Sequence, residues 1–407
     1  MRRNKTVLVS GAGIAGPTLA YWLLRAGMEP TIVEAAPELR TGGYMIDFWG
    51  LGFEVAEAMG LGRQLREIGY AMRELTLVDA DGRITARLTT EAMRKASGER
   101  YVTLLRADLA RELYRSIAGR VEVIFGNEIT FLAQDAEAVH VGLAHGPPRR
   151  FDLVIGADGV HSNVRRMIFG REDSFEIDLG YSVAAFSARS YPHRDELIAV
   201  SRTTPGRQVV RCTLRDGSTV FFMVLASELT TNYPVTTTGA QKRCLIDAFR
   251  DIGWEGDEIL EAVSDATDLY FDTVTQVHMP AWSRGRVALV GDAAYCPSLL
   301  AGAGSSFAMA GAYQLAGELA AALGDHTRGF LAYEWRFKPF LDRKQRAARR
   351  LGAWFAPRTP LGLFVRNQIT RLAGAPGFSD LMVGPIVANE LQLPHYTWNG
   401  KAARASA

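Results

Sequence analysis

The 407-residue sequence predicts an α/β fold with three parts: a parallel-sheet domain built from two separate segments, an antiparallel sheet, and a C-terminal helical region. Three observations support this prediction. The chain opens with the pattern strand, helix, strand. A short apolar strand pattern returns at residues 287–290, and between these segments the pattern changes to short strands with period two. The two distant segments therefore belong to one sheet, and the middle of the chain belongs to another.

The first unit has the order and spacing of a Rossmann-like βαβ unit. A β-branched run at 6–10 stops at glycine, residues 14–27 have helical apolar spacing, and residues 30–34 form a second buried strand. The turn between the first strand and the helix reads Gly11-Ala12-Gly13-Ile14-Ala15-Gly16. Its glycines let backbone N–H groups approach a pyrophosphate at the positive end of the helix.

A carboxylate follows at the distance that a dinucleotide site requires. Glu34 ends the second strand, 18 residues after Gly16. In this position a carboxylate accepts hydrogen bonds from an adenosine ribose. The first unit therefore predicts a dinucleotide-binding site.

The next elements interrupt the simple alternation of strands and helices. Residues 53–68 predict short helices, and strands at 75–79 and 83–88 flank Asp81-Gly82, a strong hairpin signal. Residues 106–117 return to a helical pattern. We assign the hairpin to the first domain, as strands inserted around residues 70–90.

Two further motifs place an acid and a glycine after a buried strand. Strand 151–155 leads to Asp158-Gly159, and strand 287–290 leads to Gly291-Asp292. Doubly wound sheets bind their ligands at the carboxyl ends of the strands. The dinucleotide-binding domain is therefore expected to comprise residues 1–173 and 280–325.

The remaining parts are a substrate-binding sheet domain at residues 174–279 and a helical region at residues 326–400. Period two in the middle strands allows some side chains to face a cleft. Core packing or solvent exposure stays open as the alternative for each of them. The candidates for the cleft are Phe186, Arg211, Phe222 and Met223.

Composition excludes several functions. Lys and Arg number 46 and Asp and Glu number 44, so the net charge of +2 lacks the concentrated positive charge that nucleic-acid binding needs. Cys212, Cys244 and Cys296 lie far apart without metal-ligand spacing, which predicts no metal site and a reducing, cytoplasmic location. The uncharged stretch 293–317 is long enough to span a membrane, but its proline and glycines favour a buried loop and helix, so we expect no membrane contact.

Together the three motifs resemble the flavoprotein monooxygenases of the para-hydroxybenzoate hydroxylase type, the class A aromatic hydroxylases. The resemblance extends over roughly residues 5 to 355. The segment Thr41-Gly42-Gly43-Tyr44-Met45-Ile46-Asp47 is most similar to the branch that contains tetracycline-inactivating monooxygenases. Leu104-Leu105-Arg106 matches the arginine of the family that contacts flavin.

The resemblance implies FAD as cofactor and NADPH or NADH as transient co-substrate, with Asp158 serving both. Independently of the family, the start of the helix after Gly302 is suited to the negative charge that a flavin gains on reduction. The residues expected to contact FAD are Gly11, Gly13, Ile14, Ala15, Gly16, Glu34, Ala35, Asp47, Arg106, Asp158, Gly291, Asp292, Gly302, Gly304, Ser305 and Ser306.

The implied function is a cytoplasmic monooxygenase that uses NAD(P)H and O2 to hydroxylate an apolar aromatic or polyketide-like molecule through a flavin C4a-hydroperoxide. We expect a monomer or weak dimer. The sequence departs from the family pattern at Ala35, Tyr295, Leu299, Ala303 and Ser306. These departures leave open the alternative that the protein is an enzyme of the same fold that catalyses cyclisation, isomerisation or a simple redox reaction instead of oxygenation. A non-catalytic flavin-binding protein is a further alternative, and an NAD-dependent dehydrogenase would leave the second and third motifs unused.

Overall fold

The computed structural model of the chain describes residues 4–40, 42–91, 94, 97, 100–233, 235–349, 351–373 and 391–398. The strands are β1 (Thr6–Ser10), β2 (Glu29–Glu34), β3 (Met45–Trp49), β4 (Glu74–Val78), β5 (Ile84–Thr89), β6 (Tyr101–Leu105), β7 (Glu122–Phe125), β8 (Ile129–Gln134), β9 (Val139–Leu143), β10 (Arg149–Phe151), β11 (Leu153–Gly156), β12 (Glu176–Ala188), β13 (Ile198–Thr204), β14 (Arg207–Thr213), β15 (Thr219–Ala226), β16 (Tyr270–Val277), β17 (Ser283–Arg284) and β18 (Val287–Leu289).

The α-helices are α1 (Ala15–Arg25), α2 (Leu51–Ala58), α3 (Gly62–Ile68), α4 (Arg106–Arg115), α5 (Asn163–Phe169), α6 (Thr238–Phe249), α7 (Gly256–Asp265), α8 (Asp292–Tyr295), α9 (Gly304–Ala321), α10 (His326–Ala348), α11 (Leu351–Phe355) and α12 (Pro360–Ala373). Short 3-10 helices occur at Glu172–Ser174, Ser227–Leu229 and Leu299–Ala301. The mixed α/β fold class that the sequence predicts is confirmed.

A six-stranded sheet places the three sequence motifs side by side. Its order is β17-β18-β11-β1-β2-β7, and the pairs from β18 to β7 are parallel. Val7, Leu8 and Val9 of β1 are fully buried, as expected for a parallel strand that is covered on both faces. Because β1, β11 and β18 are neighbours, the turns that follow them meet at one edge of the sheet.

A seven-stranded sheet forms the second layer, in the order β16-β12-β15-β14-β13-β4-β5. Adjacent strands are antiparallel except β13 and β4, which pair in parallel. One face of the sheet packs against helices α6 and α7 in an apolar core. The opposite face is turned toward the parallel-sheet domain and lines a cavity.

Two sequence expectations about these layers need correction. The hairpin β4–β5 is an edge of the seven-stranded sheet, not an insertion that belongs to the first domain, because Glu74 to Val78 pair with Ile198 to Arg202. The region 174–279 also contains two helices, α6 and α7, which cover the apolar outer face of its sheet. The domain boundaries at residues 173, 279 and 325 stay predictions.

The uncharged stretch 293–317 is a loop followed by most of helix α9, whose residues Ser306 to Leu319 are buried. In the part of the chain that the structure describes, the helices lack the length and apolar character needed to cross a bilayer. Helices α10 to α12 follow α9, and residues 374–390 and 399–400 of the predicted helical region lie outside the described residues.

Candidate active site

Two adjoining cavities lie between the sheets. The first cavity, about 700 Å³, is lined by the glycine turn, Glu34 and Asp158. The second cavity, about 510 Å³, is lined by residues of β14 and β15 and by the turns that contain Asp292 and Gly302. Tyr44, Arg106 and Tyr270 line both cavities, so they form the junction between them.

The three glycines of the first turn have two different roles. Gly11 has a φ of +104°, and a Cβ there would lie 2.5 Å from the carbonyl oxygen of Ala157. A Cβ on Gly16 would lie 1.9 Å from the carbonyl oxygen of Gly11. A Cβ on Gly13 would come no closer than 3.8 Å to another group, the Arg106 guanidinium. Packing within the protein therefore explains Gly11 and Gly16, whereas at Gly13 the absent side chain leaves the backbone open to the cavity.

Glu34 fixes this turn from the neighbouring strand. Its Oε2 accepts a hydrogen bond from the backbone N–H of Ala12 at 2.7 Å, and its Oε1 accepts one from Ala36 at 2.9 Å. A carboxylate has about four acceptor positions, so Glu34 keeps capacity for hydroxyl groups of a ligand. Ala35 lines the same cavity beside it.

Asp158 lies on the other side of the first cavity. It accepts hydrogen bonds from Ser162, from the backbone N–H of Val164 at 3.1 Å and from Ser10 at 3.3 Å. Burial raises the pKa of this carboxyl group, although these hydrogen bonds act in the opposite direction. The hydrogen bond from Ser10 thus connects the second motif to the end of the strand that precedes the first.

A buried arginine joins the second motif to the third. Arg165 is fully buried, and it donates hydrogen bonds to the carbonyl oxygens of Val160 and Ala293. It also forms an ion pair with Glu176. Val160 follows Asp158 and Ala293 follows Asp292, so Arg165 connects the two motifs directly.

Asp292 lines the second cavity. Burial raises the pKa of its carboxyl group, and the positive charge of Arg106 opposes that rise. Arg106 begins α4, and its backbone N–H donates to the carbonyl oxygen of Tyr44 at 3.1 Å. The three sequence motifs and Arg106 therefore converge, as the sequence predicts.

The loop that enters α9 forms one wall of the second cavity. Gly302 adopts a left-handed conformation with φ +66°, and Gly304 and Ser305 at the start of the helix line the cavity with it. Ser306 lies behind this wall and donates to the carbonyl oxygen of Trp49 at 2.8 Å. Asp47 lines the same cavity and accepts hydrogen bonds from Tyr101 and Thr103.

Tyr295 and some of the predicted contact residues lie outside the cavity linings. Tyr295, one of the departures from the family pattern, lies in the core with its hydroxyl 3.2 Å from that of Tyr333. Gly311 makes room for it, because a Cβ there would lie 1.9 Å from the Tyr295 hydroxyl. The predicted contact residues outside the two linings are Ile14, Ala15, Gly16, Gly291 and Ser306.

The four substrate candidates divide between the two faces of the seven-stranded sheet. Phe222 faces the second cavity, together with Val210, Cys212 and Val220. Phe186 and Met223 were wrong candidates, because they are fully buried on the opposite face among the side chains of α6 and α7.

Arg211 was also a wrong candidate. Its guanidinium is 2.7 Å from Asp195 and 2.7 Å from Glu255, and it lies 5.2 Å from the centre of the Trp254 ring. These partners hold it on the side of the sheet that faces away from the second cavity. It is a buried structural cation, which sequence periodicity does not distinguish from a ligand contact.

Sequence reasoning missed the polar groups at the junction. Tyr270 and Asp272 alternate on β16 and both line the second cavity, and His161 lines the first cavity directly after the second motif. The only local signal is the acid at a period-two position in a strand whose other residues are uncharged. Within the described residues, His, Cys, Asp and Glu side chains form no group of three or more that could hold a metal ion.

The comparison with protein families identifies this arrangement. A family described as FAD binding domain matches residues 4–339. The chain belongs to this family of FAD-dependent monooxygenases. It is 33% identical to a flavin-dependent monooxygenase of Legionella longbeachae, over 97% of this chain and 99% of the relative. It is 36% identical to a flavin-dependent monooxygenase from an unknown prokaryotic organism, over 97% and 100%.

A solved structure extends the comparison to three dimensions. The tetracycline destructase Tet(51) has a TM-score of 0.82 and 32% identity to this chain, and the match covers 98% of this chain and 100% of that one. The FAD cofactor inferred from the sequence is thereby confirmed at the level of the family. The open backbone at Gly13 and the remaining acceptor capacity of Glu34 fit a pyrophosphate and a ribose.

Proposed function

We propose that this protein is an FAD-dependent monooxygenase that hydroxylates an apolar aromatic or polyketide-like small molecule with NAD(P)H and O2. One observation carries the proposal. A cavity lined by the first two dinucleotide-type motifs opens, at Tyr44, Arg106 and Tyr270, into a second cavity that is lined by Asp292 of the third motif and has a largely apolar wall. A cofactor held in the first cavity can thus reach a substrate in the second.

The glycine turn, Glu34, Arg106, Asp158 and Asp292 would hold the FAD. Gly13 offers its backbone to the pyrophosphate, and Glu34 accepts hydrogen bonds from the ribose. Arg106 provides a positive charge at the junction, beside Asp292. When bound and reduced by NAD(P)H, FAD would supply the two electrons that activate O2; one oxygen atom of O2 is transferred to the substrate and the other leaves as water.

The residues of the second cavity would bind and orient the substrate. Val210, Val220 and Phe222 provide apolar surface on the sheet side, and Leu300 provides it on the loop side. A cavity of about 510 Å³ is in the range of drug-sized ligand sites. Because one structural neighbour is named as a tetracycline destructase, a tetracycline-like polyketide is the first substrate to test.

The uncharged loop and helix start at 293–306 would exclude water from the reacting groups. Exclusion of water protects a reactive oxygen donor from side reactions. We further propose a cytoplasmic protein, because its three cysteines are free and buried, and a monomer or weak dimer.

The experiment reconstitutes the purified protein with FAD and measures NADPH oxidation and O2 uptake with and without tetracycline or simpler polyketide phenols. We expect substrate-stimulated consumption of both and a product heavier by one oxygen atom. Turnover that requires neither NAD(P)H nor O2 would contradict the proposal and favour a non-oxygenating enzyme. Protein that retains no flavin would contradict it more fundamentally.

A further inference from the structure

A two-stranded antiparallel sheet, formed by β3 and β6, provides part of the lining of the second cavity. Side chains of a strand alternate between its two faces. Met45, Asp47 and Trp49 of β3 share one face, and all three line the cavity. Phe48, on the opposite face, is fully buried in the core. Asp47 therefore presents a carboxylate to the cavity from a strand that the core holds in place.

Two hydroxyl groups fix the orientation of this carboxylate. Thr103 of β6 is the direct partner of Asp47 in the register, and Tyr101 lies two residues before it. Both hydroxyl groups donate to Oδ1 of Asp47 at 2.6 Å. Among the described residues, no side chain or backbone N–H donates to the other oxygen, Oδ2. The carboxylate is thus oriented by the protein but keeps acceptor capacity for a ligand.

Asp47 differs from the other carboxylates of the cavity in its charge surroundings. Three other acidic side chains line the cavity, and a basic side chain acts on each of them. The pairs are Glu74 with Arg87, Asp272 with His161, and Asp292 with Arg106. Asp47 forms no ion pair with a Lys, Arg or His side chain in the part of the chain that the structure describes, and its two hydrogen-bond donors are neutral. Its negative charge is therefore left for a ligand to balance.

The charge of Asp47 also acts on the wall formed by the seven-stranded sheet. Cys212 belongs to β14 of that sheet and lines the same cavity. Burial raises the pKa of its thiol to about 12, and the charge of Asp47 contributes to the rise. The neighbouring lining residues Val210, Val220 and Phe222 are apolar. Because apolar walls weaken the screening of a charge by water, this carboxylate attracts a cation more strongly than an exposed one does.

We propose that Asp47 binds a protonated amino group of the substrate through Oδ2. The inference rests on the proposed function and narrows its substrate to an aromatic or polyketide-like molecule that carries a basic amine. Val210, Val220 and Phe222 would contact its rings, and Asp47 would fix their orientation. A hydrogen bond between two charged groups is short and directional, so it selects one orientation of an otherwise apolar molecule. A substrate with a carboxylate in the same position would be repelled.

The test compares three probes that share one ring system and differ in charge: 2-naphthylmethylamine, 2-naphthylmethanol and 2-naphthoate. Each is titrated at neutral pH into the FAD-loaded enzyme, and flavin fluorescence reports binding without NADPH or turnover. The parent protein should bind the ammonium about tenfold to a hundredfold more tightly than the alcohol, the range for a hydrogen bond to a charged group. The carboxylate should bind more weakly than the alcohol.

Two variants assign the preference to one side chain. Asp47→Asn should remove the preference for the ammonium and leave the affinity for the alcohol unchanged. Its amide oxygen can still accept from Tyr101 and Thr103, so the wall should keep its structure. Glu74→Gln is the matched control, because it removes the same charge from the same cavity, where Arg87 already balances it. This variant should keep the preference.

A second pair of probes connects the inference to the proposed substrate. Tetracycline carries a basic dimethylamino group, which 4-dedimethylaminotetracycline lacks. The parent protein should bind tetracycline more tightly than this analogue in the same titration. Asp47→Asn should bind the two compounds equally.

Three results would overturn the assignment. The first is a parent protein that binds the ammonium probe no more tightly than the alcohol, or binds neither. The second is loss of the preference in Glu74→Gln as well, which would assign the selectivity to the cavity as a whole. The third is an unchanged preference in Asp47→Asn; if FAD binding is weakened at the same time, the carboxylate serves the cofactor instead. Failure of the proposed function would be seen separately, as an absence of substrate-stimulated O2 uptake in the parent protein.

Discussion

Replacement of Gly13 by alanine separates the binding of FAD from the stability of the fold. The new Cβ would meet no protein atom closer than 3.8 Å, an ordinary van der Waals contact. Free energy of unfolding should therefore change by less than about 0.5 kcal/mol. The same Cβ would project into the first cavity, where the backbone is open to a pyrophosphate. Loss of one hydrogen bond to a charged group costs about 1.5–3 kcal/mol, which weakens FAD binding by roughly tenfold to a hundredfold.

The assay titrates FAD into apoprotein and follows flavin fluorescence, with urea unfolding of the apoprotein as the stability measurement. Gly16→Ala is the contrasting variant, because its Cβ would lie 1.9 Å from the Gly11 carbonyl oxygen and must disrupt the turn. Gly239→Ala, at an exposed position near the start of helix α6, controls for the substitution itself. The reasoning is refuted if Gly13→Ala binds FAD within threefold of the parent, or if it unfolds as readily as Gly16→Ala.

Three further predictions, on four substitutions, test the assignment of faces and charges. Phe222→Ala should weaken tetracycline binding about tenfold in a flavin-fluorescence titration. Met223→Ala should leave that binding unchanged and lower the free energy of unfolding in urea by about 2–5 kcal/mol. Equal effects on binding would contradict the assignment of the two residues to opposite faces. Asp292→Asn should raise the melting temperature of the apoprotein by roughly 2 °C at neutral pH. Burial raises the pKa of Asp292, so this gain should vanish below about pH 3.8, where the carboxyl group is protonated in both states. Arg211→Met should lower the free energy of unfolding by about 3 kcal/mol at neutral pH, because Glu255 loses its buried cation and keeps only the more exposed Arg194 and the Tyr191 hydroxyl group. Burial raises the pKa of Glu255, but hydrogen bonds from Arg211, Tyr191 and Arg194 lower it overall. The stability that Arg211 contributes is therefore lost as pH falls below about 4.5, and a constant difference across pH would contradict this prediction.

The parts of the site that the sequence predicts are those encoded locally. The glycine turn and Glu34 belong to one βαβ unit, so spacing along the chain fixes their relative positions. Asp158 and Asp292 follow buried strands, and parallel pairing brings such strand ends together. Convergence of the three motifs could therefore be inferred without coordinates.

The parts that were wrong depend on contacts between distant residues. Phe222 and Met223 are neighbours on a strand of which one face packs against helices and the other lines a cavity. Period two shows that they point in opposite directions but not which one faces the cavity. The pairing of β4 with β13 and the contact between Asp272 and His161 each join residues more than 100 positions apart, and neither leaves a local pattern.

The most direct test of the central claim is turnover of tetracycline by the FAD-loaded enzyme under ¹⁸O₂ with NADPH, followed by mass spectrometry of the product. We expect one labelled oxygen atom in the product, and Asp292→Asn and Gly13→Ala should reduce its formation. NADPH consumption that yields only peroxide across tetracycline and related polyketide phenols, with unlabelled substrate recovered, would contradict it.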